Sequence, residues 1–336
     1  MQTKSIIFPN GTKLNFHGND NLMKAIDLSF PFIEEYTPKK IIREANIVYD
    51  GLIKKTVNIP PNAERIKGFA GPCYFVWQSK DGITSSYSPE SERRGSHFVR
   101  NNGSDFVVRI HNNENEEILC RIARDIILRD ILNEQYFPIH ASVVKTNENA
   151  EIFFGKRGSG KSTALFSSVL FDNSIPMSGD VAFIKQNGKT WEVLGWPWRV
   201  SVDTNYFSVA HKDVDFKYEE RGKLRFMPSD FCNIFGTKWA WKAKIGKLTK
   251  TNLIVGETPS IKNLLPSNLE FYLEHEGKDN WLWGDSLKIG IKKPIFYNGA
   301  LSSSVPGKIL SGNIVSYYKE RNVTSRTLLN GRDYGY

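Results

Sequence analysis

Residues 151–163 read Glu-Ile-Phe-Phe-Gly-Lys-Arg-Gly-Ser-Gly-Lys-Ser-Thr and contain a complete Gly-x-x-x-x-Gly-Lys-Ser motif at 155–162. Glycines in such a loop let the backbone turn tightly and bring its N–H groups against phosphate oxygens. The apolar run before the motif predicts a buried strand, and Thr163–Phe166 after it predicts a helix whose N-terminus favours an anion. The motif therefore predicts that the chain binds the phosphates of a nucleotide.

The motif also predicts which residues contact the nucleotide. Lys161 supplies a positive charge for the β- and γ-phosphates, and the hydroxyl of Ser162 is suited to ligate Mg²⁺. The residues expected to line the nucleotide are Gly155, Lys156, Arg157, Gly158, Ser159, Gly160, Lys161, Ser162 and Thr163.

The bulk composition is that of an ordinary folded chain. Of 336 residues, 40% are hydrophobic and 24% are charged, a balance that excludes disordered and fibrous proteins. The net charge of +9 suits phosphates, acidic peptides or nucleic acid. A scatter of solvating Lys and Arg explains it equally well, because no basic run is long. No nucleic-acid-binding motif accompanies the charge, so we expect no nucleic-acid partner.

The cysteines and the N-terminus indicate the compartment. Cys73, Cys120 and Cys232 lie far apart and form no Cys-x-x-Cys pair, which argues against a zinc site or disulfide framework and is typical of a reducing cytosol. The N-terminus lacks the apolar run of a signal peptide, and no window approaches the roughly 18 apolar residues of a membrane span. We therefore expect a cytoplasmic chain that has no membrane partner.

The first 112 residues carry turn signals between apolar stretches, which predicts a β-rich N-terminal domain over 1–112. Asp50-Gly51, Lys80-Asp81-Gly82 and Asn101-Asn102-Gly103 each separate two short apolar runs. Each signal predicts a hairpin, and three in series predict an antiparallel sheet. The stretch from Pro60 to Pro72 predicts a loop.

A second domain, which holds the phosphate-loop motif and ends in a C-terminal extension, is expected over residues 113–336. A helix is expected over 116–135, since its apolar residues recur at helical spacing. The strands around 139–144 and 151–154 have so short a connection that they should pair antiparallel. Met177–Ile184 predicts a further strand, and the turn signal at 186–188 leads from it into the strand at 191–194. The fold class is α+β or α/β with a mixed sheet.

Two polar residues near the motif are candidates for chemistry. Asp180 lies 19 positions after Lys161 and is expected at a strand end, where its carboxylate is able to hold a metal or accept a proton. His140 lies on the strand expected to pair beside the phosphate loop. A lone His in an apolar strand is usually a packed core residue, but this placement brings it near the phosphates.

The segments Ile139–Lys145, 151–163 and Met177–Ile184 together resemble the HPr kinase/phosphorylase superfamily. They look closest to the HPr-kinase-like enzymes found with peptide natural products, including lasso-peptide kinases. The resemblance covers roughly residues 115 to 200. It implies an HPr-kinase-like core built around the phosphate loop, preceded here by the hairpin-rich region.

The resemblance also implies roles for individual residues. Gly155 through Ser162 would hold the ATP phosphates, and Lys161 would assist the transfer through its charge. Asp180 would be the general base and, with Ser162, a Mg²⁺ ligand, and His140 would be the electrostatic partner of Asp180. The family uses ATP and Mg²⁺ to phosphorylate a Ser hydroxyl on a small protein or peptide, and its members often form oligomers, which makes a homo-oligomer possible here.

The sequence departs from the family pattern at two positions. Gly179 stands where the family usually has the first of two Asp residues. In Glu192-Val193-Leu194-Gly195, Leu194 stands where the family's Glu-x-Arg-Gly signature has Arg. Trp196 and Trp198, expected on one strand face just beyond, are suited either to line a peptide groove or to pack in the core.

Three functions are compatible with these observations. The first is an ATP-dependent kinase that phosphorylates Ser (or Thr) of a small protein or peptide, including a natural-product precursor peptide. The second is a small-molecule kinase on the same core. The third is a nucleotide-binding regulatory protein with little catalysis, which the absence of a carboxylate at Gly179 favours.

Overall fold

The chain is a mixed α+β protein, in which sheets with both parallel and antiparallel pairs outweigh a few helices. The computed structural model describes residues 1–31, 40–53, 57–67, 73–89, 96–110, 117–134, 136–155, 158–204, 219–220, 222–253, 261–263 and 324–328. Its backbone contacts divide the chain into two compact units. The first unit holds the described residues up to 134 except 28–31, and the second holds the others.

The first unit is built on one eight-stranded sheet. Its strands are β1 Gln2–Ile7, β2 Thr12–Gly18, β3 Arg43–Leu52, β4 Glu64–Lys67, β5 Cys73–Gln78, β6 Thr84–Ser88, β7 His97–Asn101 and β8 Asp105–Ile110. They lie in the order β1-β2-β3-β8-β7-β6-β5-β4. The pairs β2–β3 and β3–β8 are parallel, and the others are antiparallel.

The alternation of apolar and polar residues determines which face of this sheet is buried. On one face, Leu14, Phe16 and Phe106 are fully buried, whereas their strand neighbours are at most half-buried. Helix α1 spans Asp20–Ser29, and α2 spans Glu117–Asn133. Helix α2 contacts β2 and β3. The helix predicted over 116–135 is confirmed, and it falls in the first unit; the division at residue 112 stays a prediction.

Two of the three predicted hairpins are confirmed, and one is wrong. β5 pairs with β6, and β7 with β8, both antiparallel. Asp50-Gly51 does not reverse the chain, because β3 continues through it to Leu52. Its register with the parallel strand β8 shifts between Tyr49 and Leu52, and Gly51 has a φ of +87°, so the glycine serves a bulge. The predicted loop from Pro60 to Pro72 contains strand β4, and residues 68–72 lie outside the described residues.

The second unit carries the phosphate-loop motif. Its larger sheet consists of β9 Phe137–Thr146, β10 Asn149–Phe154, β11 Ile175–Ser178, β12 Val181–Asn187, β13 Thr190–Leu194, β17 Lys242–Leu253, β18 Ile261–Asn263 and β19 Thr324–Leu328. A smaller sheet consists of β14 Val200–Asp203, β15 Glu219–Glu220 and β16 Lys223–Phe226. The helices are α3 Lys161–Phe171 and α4 Pro228–Ile234.

Five strands of the larger sheet are hydrogen-bonded into a closed ring. β9 pairs with β10 and β12, β12 with β13, β13 with β17, and β17 with β10. The β9–β10 pair is antiparallel, as the sequence predicted. The β12–β13 pair is also antiparallel, and it joins the two strands on either side of the predicted turn. The β10–β17 pair is parallel, so the carboxyl ends of these two strands lie side by side. That edge is the one from which the phosphate-loop motif leaves β10.

An aromatic cluster holds α3 in place. The ring of Phe166 in α3 lies 5.0 Å from the ring of Phe231 and 5.6 Å from that of Phe235, edge to face in both cases. Phe226 of β16 lies 6.0 Å from the same ring. Edge-to-face contacts between aromatic rings stabilise packing beyond the area they bury. The helix that follows the motif is therefore anchored through the ring of Phe166 on its apolar face. Its N-terminus lies at the end of the phosphate-loop motif.

Candidate functional site

The phosphate-loop motif connects the end of a strand to the start of a helix. β10 ends at Phe154, and α3 begins at Lys161. Gly160 precedes the helix with a φ of +89°, a left-handed conformation that other residues rarely adopt. Gly155 has a φ of +150°, and a Cβ there would lie 2.5 Å from the Ser159 hydroxyl oxygen. The loop conformation therefore depends on both glycines.

The lysine of the motif points back into its own loop. Nζ of Lys161 donates a hydrogen bond of 2.8 Å to the carbonyl oxygen of Gly155, and the side chain is buried. Ser162 and Thr163 are half-buried in the first turn of α3. The predicted contacts Lys156 and Arg157 lie outside the described residues.

A strand that is distant in the sequence holds the loop from the other side. The hydroxyl of Ser159 lies 3.0 Å from that of Thr251, and the Thr251 hydroxyl donates to the carbonyl oxygen of Phe154 at 3.2 Å. Thr251 is on β17 and fully buried. Sequence reasoning did not select this residue. In the sequence, Thr251 is a single threonine near the carboxyl end of a strand and belongs to no motif. The parallel pairing of β10 with β17 places it at the loop.

His140 and Asp180 meet on neighbouring strands. Nε2 of His140 lies 3.1 Å from Oδ1 of Asp180. The backbone supports this contact, because His140 pairs with Val181 and the amide of Ala141 donates to the Asp180 carbonyl oxygen at 3.0 Å. The His140 side chain is 9% exposed, whereas the Asp180 side chain is 28% exposed. The imidazole is thus held inside, and the carboxylate remains open to solvent.

The strand register brings this pair to the edge of the sheet that carries the loop. Ala141 of β9 pairs with Phe154, the last residue of β10, while the adjacent His140 pairs with Val181 of β12. Neighbouring strands lie about 4.8 Å apart. The backbone at Asp180 is therefore two strands, or about 10 Å, from the start of the loop, a span that side chains and a phosphate group can bridge.

The predicted strand over Met177–Ile184 is wrong in one respect, because it is interrupted. β11 ends at Ser178 and β12 begins at Val181. The hydroxyl of Ser142 donates to the Gly179 carbonyl oxygen at 2.9 Å and holds the break. A Cβ on Gly179 would lie 3.1 Å from Cα of Val200 and 3.2 Å from the carbonyl oxygen of Arg199. A side chain at Gly179 would therefore be in tight contact with the backbone at Arg199 and Val200, which would have to shift by a few tenths of an ångström.

Glu192 lies away from this edge. It pairs with Lys185 on β12, about 13 Å along the strand from Val181 at 3.3 Å per residue. Its carboxylate accepts hydrogen bonds from the hydroxyl of Tyr136 and, at 2.8 Å, from Nζ of Lys242. Burial alone would raise the pKa of Glu192, but these partners outweigh it and hold the pKa below its usual value. The structure gives this carboxylate a structural role.

The remaining sequence candidates near Glu192 are also packed residues. At Gly195 a Cβ would lie 2.3 Å from the carbonyl oxygen of Met177, so only glycine fits there. Trp196 is buried against Phe183, with ring centroids 5.2 Å apart. The expectation that Trp196 and Trp198 share a strand face is wrong, since β13 ends at Leu194 and β14 begins at Val200.

The donors available for a metal are few. Among the residues that the structure describes, no group of three or more His, Cys, Asp or Glu side chains is placed to hold a metal ion. Mg²⁺ that is brought by a nucleotide keeps several waters and phosphate oxygens and needs one or two protein ligands. The part-exposed carboxylate of Asp180 and the hydroxyl of Ser162 are donors of that kind.

None of the helices in the described ranges combines the length and the apolar character needed to cross a bilayer.

No family model matches the chain, and no curated protein matches it. Among solved structures, the HPr(Ser) kinase/phosphatase from Coxiella burnetii is similar at 15% identity over 38% of this chain and 77% of that chain, with a TM-score of 0.24. A likeness of this size shows neither the family nor the activity of the chain.

Proposed function

We propose that this chain is an ATP-dependent kinase that transfers the γ-phosphate to the hydroxyl of a Ser or Thr in a small protein or peptide. The observation that carries the proposal is the His140–Asp180 contact two strands from the phosphate-loop motif. It supports the proposal because the part-exposed Asp180 carboxylate is held by His140 on the strand next to β10, with its backbone about 10 Å from the start of the loop.

The loop would bind the nucleotide through its backbone and its lysine. Its N–H groups and the N-terminus of α3 favour the phosphate charge. Lys161 would exchange the carbonyl oxygen of Gly155 for phosphate oxygens, because a charged acceptor forms the stronger hydrogen bond. Mg²⁺, held by Ser162 and Asp180 together with the phosphates, would neutralise developing negative charge.

Asp180 would orient the acceptor hydroxyl and accept its proton. Phosphoryl transfer has a loose transition state, so positioning and charge stabilisation supply most of the rate enhancement. One carboxylate can meet this demand, so the proposal does not require a second carboxylate at Gly179, where a side chain would be in tight contact with the backbone. His140 would keep the Asp180 carboxylate in place through the 3.1 Å contact.

The same missing carboxylate supports a second candidate, a nucleotide-binding regulatory protein with little catalysis. Two variants separate the candidates. A kinase requires that Lys161→Ala weakens ATP binding and that Asp180→Asn keeps binding but loses transfer of labelled γ-phosphate to Ser-containing peptides. A regulatory protein would bind ATP and transfer phosphate to no peptide. Transfer to alcohols and sugars but to no peptide would indicate a small-molecule kinase.

A further inference from the structure

Thr251 is the polar side chain that joins β17 to the phosphate loop. It lies 92 positions from Ser159 in the sequence, yet their hydroxyl oxygens are 3.0 Å apart. Both side chains are buried, with Thr251 only 1% exposed. Buried hydroxyls are costly unless they are hydrogen-bonded, so this contact is an organised part of the loop.

The geometry assigns a direction to the hydrogen bonds. A threonine hydroxyl has one proton, and that of Thr251 goes to the carbonyl oxygen of Phe154 at 3.2 Å. Ser159 must then be the donor in its contact with Thr251. The result is a chain from the Ser159 hydroxyl through the Thr251 hydroxyl to the last carbonyl of β10. It joins the middle of the loop to the strand from which the loop starts.

The backbone of Thr251 also lies close to the first residue of the loop. A Cβ on Gly155 would lie 2.8 Å from the Thr251 carbonyl oxygen and 2.5 Å from the Ser159 hydroxyl oxygen. The first glycine of the motif is thus closed in by both members of the hydrogen-bonded pair. The carbonyl oxygen of the same Gly155 accepts a hydrogen bond from the Lys161 ammonium. Thr251 therefore packs against the residue that holds the lysine.

We propose that Thr251 is a positioning residue for nucleotide binding, which holds Ser159 and Gly155 in place for phosphate. This rests on the proposed ATP binding. Residues that are already held lose less conformational entropy on binding, so ATP affinity is higher than it would be with Ser159 released from β17.

The chain offers a matched control for Thr251. Thr249 lies two residues earlier on β17, is fully buried, and donates to Oε1 of Glu151 at 2.5 Å. Thr249→Val removes a buried hydroxyl of the same type from the same strand without touching the loop. Any general loosening of β17 would therefore affect both variants.

The test is calorimetric titration of ATP and Mg²⁺ into the full chain, with thermal unfolding measured in parallel. We expect Thr251→Val to weaken ATP binding about tenfold, the size of one buried hydrogen bond, and Thr251→Ser to bind within about twofold of the original chain. Thr249→Val should be destabilised like Thr251→Val and yet bind ATP normally. Equal losses of affinity in the two Val variants, or none in either, would overturn the inference.

Ser159→Ala keeps the inference testable if Thr251→Val fails to fold. It should weaken binding by a similar factor, and the double variant should be no weaker than either single variant, because both remove one hydrogen-bonded unit. Full additivity of the two losses, or unchanged affinity in Ser159→Ala alone, would contradict the inference. If the original chain binds no ATP, the proposed function itself fails, an outcome distinct from normal binding by Thr251→Val.

Discussion

Nε2 of His140 and Oδ1 of Asp180 lie 3.1 Å apart, with the imidazole buried and the carboxylate partly open to solvent. Two antiparallel pairings produce this contact, β9 with β10 and β9 with β12. His140 is adjacent in sequence to Ala141, which pairs with the last residue of β10. Its own pairing partner, Val181, is adjacent in sequence to Asp180. The carboxylate is thus held by a buried imidazole, and its backbone lies two strands from the end of β10, where the phosphate loop starts.

We expect His140→Gln to lower the rate of phosphoryl transfer about 10- to 100-fold, because an unoriented Asp180 carboxylate positions the acceptor hydroxyl poorly. ATP affinity should change little. The measurement is labelled-phosphate transfer with kcat and KM separated. His17→Gln, on the first sheet, is a control that should leave the rate unchanged. A His140 variant that lost stability but kept its specific activity would identify this residue as core packing alone.

We expect Gly179→Asp to destabilise the chain by about 1–3 kcal/mol without raising activity, because the new side chain would meet the backbone at Arg199 and Val200. Urea unfolding measures the cost. Gly188→Asn is the comparison, since Gly188 lies at a turn with open space and a φ of +60° that Asn tolerates. A stable Gly179→Asp chain with faster transfer would show that the missing carboxylate limits catalysis.

We expect Glu192→Gln to lower the free energy of unfolding at pH 7 by about 2 kcal/mol, the usual worth of buried charge-assisted hydrogen bonds. Since folding lowers the pKa of Glu192, its stabilisation is present above the unfolded value of about 4.3 and is lost as pH falls through the folded value. The difference between the original chain and the variant should therefore shrink below about pH 4.

Urea unfolding at pH 3 to 7 measures this difference. Glu44→Gln is the control, because Glu44 accepts a hydrogen bond from Lys13 but is exposed, and exposed pairs contribute little. ATP binding should be unaffected by Glu192→Gln. If Glu192→Gln kept its stability but lost ATP binding, Glu192 would have a role in nucleotide binding.

Much of the site could be predicted from local sequence. The short tip at 147–149 requires β9 and β10 to pair antiparallel, and this places His140 near the loop. The strand, glycines and helix of the motif are also local features. Asp180 could be selected because a carboxylate follows the loop helix after one short connection.

Other features depend on distant pairing that local sequence does not record. Asp50-Gly51 has the composition of a hairpin turn, but the parallel partner β8 makes it a bulge within β3. Thr251 has no motif around it, and only the pairing of β17 with β10 gives it a role. The tight space at Gly179 arises from Arg199 and Val200, about twenty residues further along the chain.

The most direct test of the account is transfer of labelled γ-phosphate from ATP to Ser-containing peptides, measured together with ATP affinity for the original chain, Lys161→Ala and Asp180→Asn. We predict transfer by the original chain, loss of ATP binding in Lys161→Ala, and in Asp180→Asn a loss of transfer of about 10²- to 10⁴-fold with normal ATP binding. Full transfer by Asp180→Asn, or ATP binding by the original chain without transfer to any peptide, would contradict the account.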